Sequence, residues 1–252
     1  MQLKIISFNI RCCDDKHRNS IAQRAPRLAA ITLRYDADIL CLQEVRPKWV
    51  PHLDKYYGKE YDMFLKYRNE TVDIEASPIL WRRDRFEAVS KGYFWLSDTP
   101  ETESRGWDEV YNCYRICEYV ILKEKESGDS FTVMNTHFGF GDSGQVKSAR
   151  LIYDYSKKIS DHKTLVTGDF NMTPDSAGYA EMTKNFKDVN VCTVNDKRTT
   201  FHNYKPDTVK DKHIDYCFID EKITPVSYKI ITDTVWGKYP SDHFGLYIQL
   251  NM

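Results

Sequence analysis

Six stretches of this chain end or interrupt an apolar run with a residue able to bind a cation or a phosphate. "ISFNIR" exits at Asn9, "ILCLQEVR" at Glu44, "VMNTHFGF" at His137, and "LVTGDFNMTP" at Asp169 and Asn171. "HIDYCF" carries Asp215 inside its apolar run, and "YPSDHFGL" sets Asp242 and His243 just before the last one. Burying a charge or an amide is costly unless it is satisfied. One such residue is ordinary; six runs that all present Asn, Asp, Glu or His point to one convergent site. Mg²⁺ takes oxygen ligands, keeps several waters, and binds through one or two carboxylates plus substrate phosphate oxygens. Glu44 and one or two of the aspartates would supply that. Histidines donate to phosphoryl oxygens or move protons near neutral pH. Taken singly, most of these residues have a plainer explanation. Asn9 is a turn former, Glu44 a strand-rim residue, His137 a structural histidine, and Asp169 with Asn171 an Asx-type turn before Pro174. Asp242 and His243 read as loop polarity after Pro240. Asp215, inside an apolar run, is the hardest to explain this way.

The elements that must hold these residues follow from patterning. "LKIISFNI", "ADILCLQEV", "YDMFLKY", "SPILWRR", "FEAVSKGYFWL", "CEYVILKE", "SFTVMNTHF", "KTLVTGDF", "HIDYCFID", "VSYKIITDTV" and "FGLYIQL" read as strands, rich in β-branched and aromatic residues. A helix follows the N-cap candidate Ser20, with Pro26 in its first turns. "PKWVPHLDKYYG" reads as a short helix broken by Pro51. "SGQVKSARLIYDYSKKIS" has helical spacing through Val146, Ala149, Leu151, Ile152 and Tyr155, and "SAGYAEMTKNF" is a helix capped by Ser176. No repeat, low-complexity tract or linker is evident. Strands outnumber helices, which fits a two-sheet sandwich with helices outside better than a doubly wound sheet. Residues 97–112 and 195–212 read as long loops, and loops of that length in a compact domain are often functional. The aromatics near them, Tyr93, Phe94, Trp95, Trp107, Tyr111 and Tyr114, read as packing.

Composition narrows the partners. The chain has 252 residues, 41% hydrophobic, and is expected to be a single domain over 1–252. Its formal net charge of -1 gives no electrostatic case for sequence-blind DNA binding, which needs a basic patch. The seven cysteines have no framework spacing. Cys113 and Cys117 sit in a strand-like stretch without a second Cys or His pair, so buried free thiols in a reducing compartment are expected rather than zinc. No leader pattern and no apolar run of membrane-spanning length is present. A cytoplasmic monomer without a membrane span is expected.

At this point the blocks "SFNIR", "LQEVR", "NTHFGF", "GDFNMTP", "IDYCF" and "YPSDHF" resemble, in order and over nearly the whole chain, those of the endonuclease/exonuclease/phosphatase superfamily. That superfamily includes deoxyribonuclease I-like enzymes, abasic-site endonucleases, inositol-polyphosphate phosphatases, neutral sphingomyelinases and deadenylases. "FWLSDTP" further resembles a bacterial branch of it. The resemblance implies an α+β, four-layer αββα sandwich of two packed mixed β-sheets with outer helices, with the site at one end. It implies Mg²⁺ or Mn²⁺ and cleavage of a phosphoester by activated water. Carried over by position, Glu44 resembles the principal metal ligand, with Asn9 close by and Asp242 as a second metal-side carboxylate. Asp169 and Asn171 resemble the pair that orients the attacking water. His243 resembles the histidine paired with Asp215. His137 resembles the other catalytic histidine, and Glu75 sits where deoxyribonuclease-like members keep its partner. One departure stands out. Abasic-site endonucleases carry an acidic residue two places after the first-strand Asn; here that place is Arg11. Arg11 and Arg115 are candidates to hold a phosphate or another anionic substrate group, and equally ordinary ion-pair partners.

The first expectation is therefore a divalent-metal-dependent phosphodiesterase or nuclease. The second is a phosphomonoesterase acting on a sugar or inositol phosphate, since the same constellation serves both. The third is a non-catalytic binding module on the same fold, whose mark would be a lost site residue. Nucleic acid and small phosphorylated metabolites both remain as substrates.

Overall fold

A computed structural model describes residues 1–16 and 18–252. The strands are β1 (Gln2–Asn9), β2 (Ile39–Gln43), β3 (Tyr61–Phe64), β4 (Ile79–Arg82), β5 (Phe86–Trp95) and β6 (Ile116–Glu124). They continue with β7 (Ser130–His137), β8 (Lys163–Asp169), β9 (Lys187–Asp188), β10 (Asp215–Ile219), β11 (Thr224–Ile231) and β12 (Gly245–Asn251). The helices are α1 (Ile21–Thr32), α2 (Val50–Tyr57), α3 (Asp142–Ile159), α4 (Ala177–Met182) and α5 (Val189–Cys192). One sheet has the order β11-β12-β1-β2-β4-β3, the other β5-β6-β7-β8-β10-β9. Each is antiparallel apart from one central parallel pair, β1 with β2 and β7 with β8. In each pair the crossover carries a helix, α1 and α3 respectively, as parallel neighbours require.

Alternation along β1 shows how the layers form. Leu3 and Ile5 pack in the apolar seam between the sheets, while Ile6 and Phe8 pack outward against α1 and α2. Side chains two apart share a face, so one strand feeds two cores. A third core seats α3 and α4 on the outer face of the second sheet, around Ile152, Phe170 and Phe218. The order is therefore helix, sheet, sheet, helix, the expected four-layer α+β sandwich.

Local departures have simple causes. Pro51 does not break α2; it lies in its first turn, where a missing N–H goes unneeded. Pro26 lies inside α1 on the exposed side, and the helix continues past it. Cys113 lies in the irregular stretch ahead of β6 rather than within a strand. Of the seven free cysteines only Cys41, Cys117 and Cys217 are buried, so the expectation of buried thiols holds for three; Cys13 and Cys192 are exposed. The short β9 and α5 were not anticipated. Among the described residues no helix is long and apolar enough to cross a membrane.

Candidate active site

Register, more than any single residue, assembles the site. His137 ends β7 directly beside Asp169 at the end of β8, and Asp215 opens β10 directly opposite Asp169. Three predicted residues thus lie in one row across three neighbouring strands. On the other sheet, Asn9 ends β1 level with Gln43, and Glu44 follows at once. Gly168 lets β7 and β8 close up: a Cβ there would lie 2.2 Å from the Thr136 carbonyl oxygen. Arg11, Glu44 and Asn171 adopt left-handed backbone, with φ of 62°, 64° and 49°. Such residues are uncommon and cluster at functional sites.

Hydrogen bonds join the rows across the sandwich. Asn9 Nδ2 donates to Asp169 Oδ2 at 2.9 Å and to Glu44 Oε1 at 3.0 Å. The Cys12 backbone N–H donates to Glu44 Oε2 at 2.7 Å. Asn171 donates its backbone N–H to Asp169 Oδ1, and its Nδ2 lies 3.0 Å from His137 Nε2. His243 Nδ1 lies 3.0 Å from Asp215 Oδ2, and its Nε2 lies 3.7 Å from Asp169 Oδ2.

The two histidines titrate apart. Burial alone would lower the pKa of His243; Asp215, Asp169 and Asp242 outweigh it and lift the group to about 10. His137 is pushed well below its usual value by burial, then by Arg115, and stays neutral. Burial and the facing Asp215 raise Asp169 to about 7, against the pull of His243. Burial would raise Glu44 too, yet the Cys12 N–H, Asn9 and the charged His243 hold it below the carboxylate range. Glu44 thus stands ionised, Asp169 poised near neutrality, His243 as an imidazolium and His137 as a neutral imidazole.

These groups open into a cavity of about 650 Å³ lined by Glu44, His137, Asp169, Asn171, Asp242 and His243 among others. Both long loops reach it, through Tyr111 from one and Phe201 and Asn203 from the other. Glu44 fits a hard divalent cation: an ionised carboxylate on the cavity wall beside a carboxamide, where substrate phosphate oxygens would complete the shell. The closest cluster of ligand-type atoms among the described residues is instead Asp169, Asp215 and His243, within 4.8 Å of one another. His243 Nδ1 there is already engaged by Asp215 Oδ2 while Nε2 faces Asp169, so the cluster reads as a proton relay.

Two expectations change. Glu75 is not the partner of His137. It bonds Arg46 at 2.9 Å and Arg68 at 3.0 Å, because two guanidiniums satisfy a buried carboxylate better than a neutral imidazole does. His137 Nδ1 has no partner among the described residues. Asp242 is engaged by Arg11, with Nη1 to Oδ2 at 2.6 Å. Arg115 lies on the cavity wall but is held by Asp108 at 3.0 Å. Asn135 and Gln43 went unnoticed. Both are fully buried, bonded to each other at 2.7 Å between the sheets, and Asn135 also donates to the Leu42, Ser77 and Pro78 carbonyls. The signal was available: Asn135 stands two residues before His137, on the same strand face.

Comparison with known proteins agrees with this geometry. The profile of the Endonuclease/Exonuclease/phosphatase family matches residues 6–243. A mannosyl-6-phosphatase of Bacteroides thetaiotaomicron superposes with a TM-score of 0.90 at 28% identity, covering 99% of this chain and 100% of that one. An endonuclease/exonuclease/phosphatase of Bacteroides vulgatus gives 0.92 at 28% identity, covering 100% and 99%. The CCR4-Not complex 3'-5'-exoribonuclease subunit Ccr4 of Candida albicans is 26% identical over 180 residues, which span 58% of this chain and 23% of that protein. With the fold, the row of strand-end residues and a match running from β1 to His243, the chain belongs to the Endonuclease/Exonuclease/phosphatase family.

Proposed function

We infer that the protein is a divalent-metal-dependent phosphoester hydrolase whose preferred substrate is a compact phosphomonoester of the sugar-phosphate kind. The observation that carries the chemistry is the buried chain Asn9–Asp169–His243–Asp215 beside the ionised Glu44. The choice of a small monoester is supported by a cavity of about 650 Å³, in the range of small-molecule sites. It is supported further by a near-neutral chain and full-length similarity to a mannosyl-6-phosphatase. This reverses the order expected from sequence.

Bound at Glu44, the cation would withdraw charge from a phosphoryl oxygen. Asp169, poised near neutrality, is suited to accept a proton from water that the Asn171 amide helps to align. His243, kept cationic by Asp215, offers a charged donor to the phosphoryl oxygens. Neutral His137 stands beside Asn171, its Nε2 3.0 Å from the Asn171 Nδ2.

The test is release of inorganic phosphate from hexose 6-phosphates and glycerol phosphate, beside cleavage of bis-p-nitrophenyl phosphate and single-stranded RNA, with Mg²⁺, Mn²⁺ or EDTA. Phosphate release that EDTA stops and Glu44→Ala abolishes in a folded protein is expected. Cleavage of diesters alone would favour the nuclease reading, which the similarity to Ccr4 supports. No turnover with any metal would favour a binding module.

A further inference from the structure

Asp242 was expected beside a metal, yet it faces a guanidinium. Arg11 places Nη1 2.6 Å from Asp242 Oδ2, while its Nε and Nη2 engage Asp15. The side chain is 27% exposed and lines the same cavity as Glu44 and Asp169. Its position is fixed from several directions. The backbone is left-handed, with φ of 62°. Its N–H donates to Asn9 Oδ1 at 3.0 Å. Its carbonyl accepts from Trp49 Nε1 at 2.9 Å and from Arg24 Nη2 at 3.0 Å. Arg24, fully buried, also holds the Cys13 carbonyl at 2.7 Å and reaches Tyr204 Oη. A residue held in a strained conformation by buried donors on two elements is positioned rather than incidental.

The consequence concerns charge. Two-metal phosphoesterases flank the reacting phosphate with two cations, each held by carboxylates. Here Asp242, just ahead of β12, and Asp15, in the loop after β1, are already bridged by one guanidinium, where a second cation would otherwise sit. We propose that Arg11 takes the place of a second metal ion: the site binds one divalent cation, at Glu44 and Asn9, and the Arg11 guanidinium supplies the second positive charge facing the phosphoryl oxygens. Arginine suits this task, because it stays protonated, and with three of its five N–H donors spent on Asp15 and Asp242 one N–H on each Nη is left for a phosphoryl oxygen. The proposal rests on the metal-dependent reading above and adds what that reading leaves open, the ion count and the role of Arg11.

The experiment is Mn²⁺ titration of the full chain by calorimetry and by electron paramagnetic resonance, for the wild type, Arg11→Gln and Arg11→Lys. Circular dichroism confirms that each is folded. The wild type is expected to bind one ion. Arg11→Gln releases Asp242 and Asp15 from their cation and should bind a second, weaker ion. Its kcat should fall roughly 100-fold, as for loss of a charged transition-state donor, and recover in part as Mn²⁺ rises through the second site. Arg11→Lys should keep a stoichiometry of one. Two ions in the wild type, or one ion with unchanged kcat in Arg11→Gln, would overturn the proposal. One ion in the wild type and two in Arg11→Gln, without turnover of any phosphoester, would leave the ion count standing and refute the hydrolase reading. Failure of the wild type to bind any ion would refute both.

Discussion

His202 offers a prediction that depends on neither metal nor substrate. It is fully buried in the 195–212 loop, stacked on Phe244 with centroids 4.1 Å apart and packed against Tyr239 at 4.6 Å. Neither ring nitrogen has a partner among the described residues. Burial lowers its pKa from 6.5 to about 4. The unfolded chain therefore takes up a proton at higher pH than the folded one. The stability this group contributes is complete above pH 6.5 and is lost progressively as pH falls toward 4. Between pH 8 and pH 5 the loss is ~1.36 kcal/mol for each unit below 6.5, or about 2 kcal/mol at pH 5. His202→Phe keeps the stack and removes the titration. Packing changes affect the variant equally at both pH values, so the comparison across pH isolates the proton term. Urea denaturation of both proteins at pH 8 and pH 5 measures it. The wild type should lose about 2 kcal/mol more than the variant between the two conditions. Equal losses would show that the imidazole finds a partner or a proton in the folded state, and would refute the reasoning.

Two further outcomes follow from the same kind of accounting. Asp215→Asn removes the main support of the His243 charge; because a raised histidine pKa keeps the imidazolium present below it, the basic limb of the pH–rate profile should move down from near pH 10, with kcat reduced on the order of 100-fold or more. An unmoved basic limb would separate His243 from catalysis. Gly168→Ala puts a Cβ 2.2 Å from the Thr136 carbonyl and should cost about 1–3 kcal/mol or more in urea denaturation, since backbone rather than a flexible side chain must move.

What could be read from the sequence was what each element shows on its own. Strand patterning located the long strands, and the polar ends of those strands gave Asn9, Glu44, His137, Asp169, Asn171, Asp215 and His243, all of which the fold brings to one end of the sandwich. What stayed hidden depends on which elements become neighbours. Glu75 could not be assigned, because its partners Arg46 and Arg68 come from separate segments whose meeting is a tertiary event. The Arg11–Asp242 pair spans most of the chain and is likewise invisible to local pattern. Gln43 and Asn135 were overlooked beside more reactive neighbours, although polar residues inside apolar runs announce a buried partner. The two-residue β9 carries too little periodicity to detect.

The 195–212 loop shows why a long segment without regular structure persists beside this site. Thr200 Oγ1 accepts the backbone N–H groups of Ile214 and Asp215, at 3.0 and 3.1 Å. Phe201 forms a β-bridge with His243 and packs its ring 5.0 Å from the imidazole. The His202 and Asn203 N–H groups both donate to the Asp242 carbonyl, and Phe244 N–H donates to Thr200. One short stretch therefore clamps the backbone on both sides of the Asp215–His243 pair, while Phe201 and Asn203 line the cavity. Two carboxylates facing each other across β8 and β10 repel. They are tolerated because His243 is held between them, and it is this loop that holds it. A change in the loop that alters what enters the cavity also shifts the group that keeps Asp169 and Asp215 together. Substrate choice and proton relay are thus mechanically joined, and loop substitutions should alter kcat together with KM rather than KM alone.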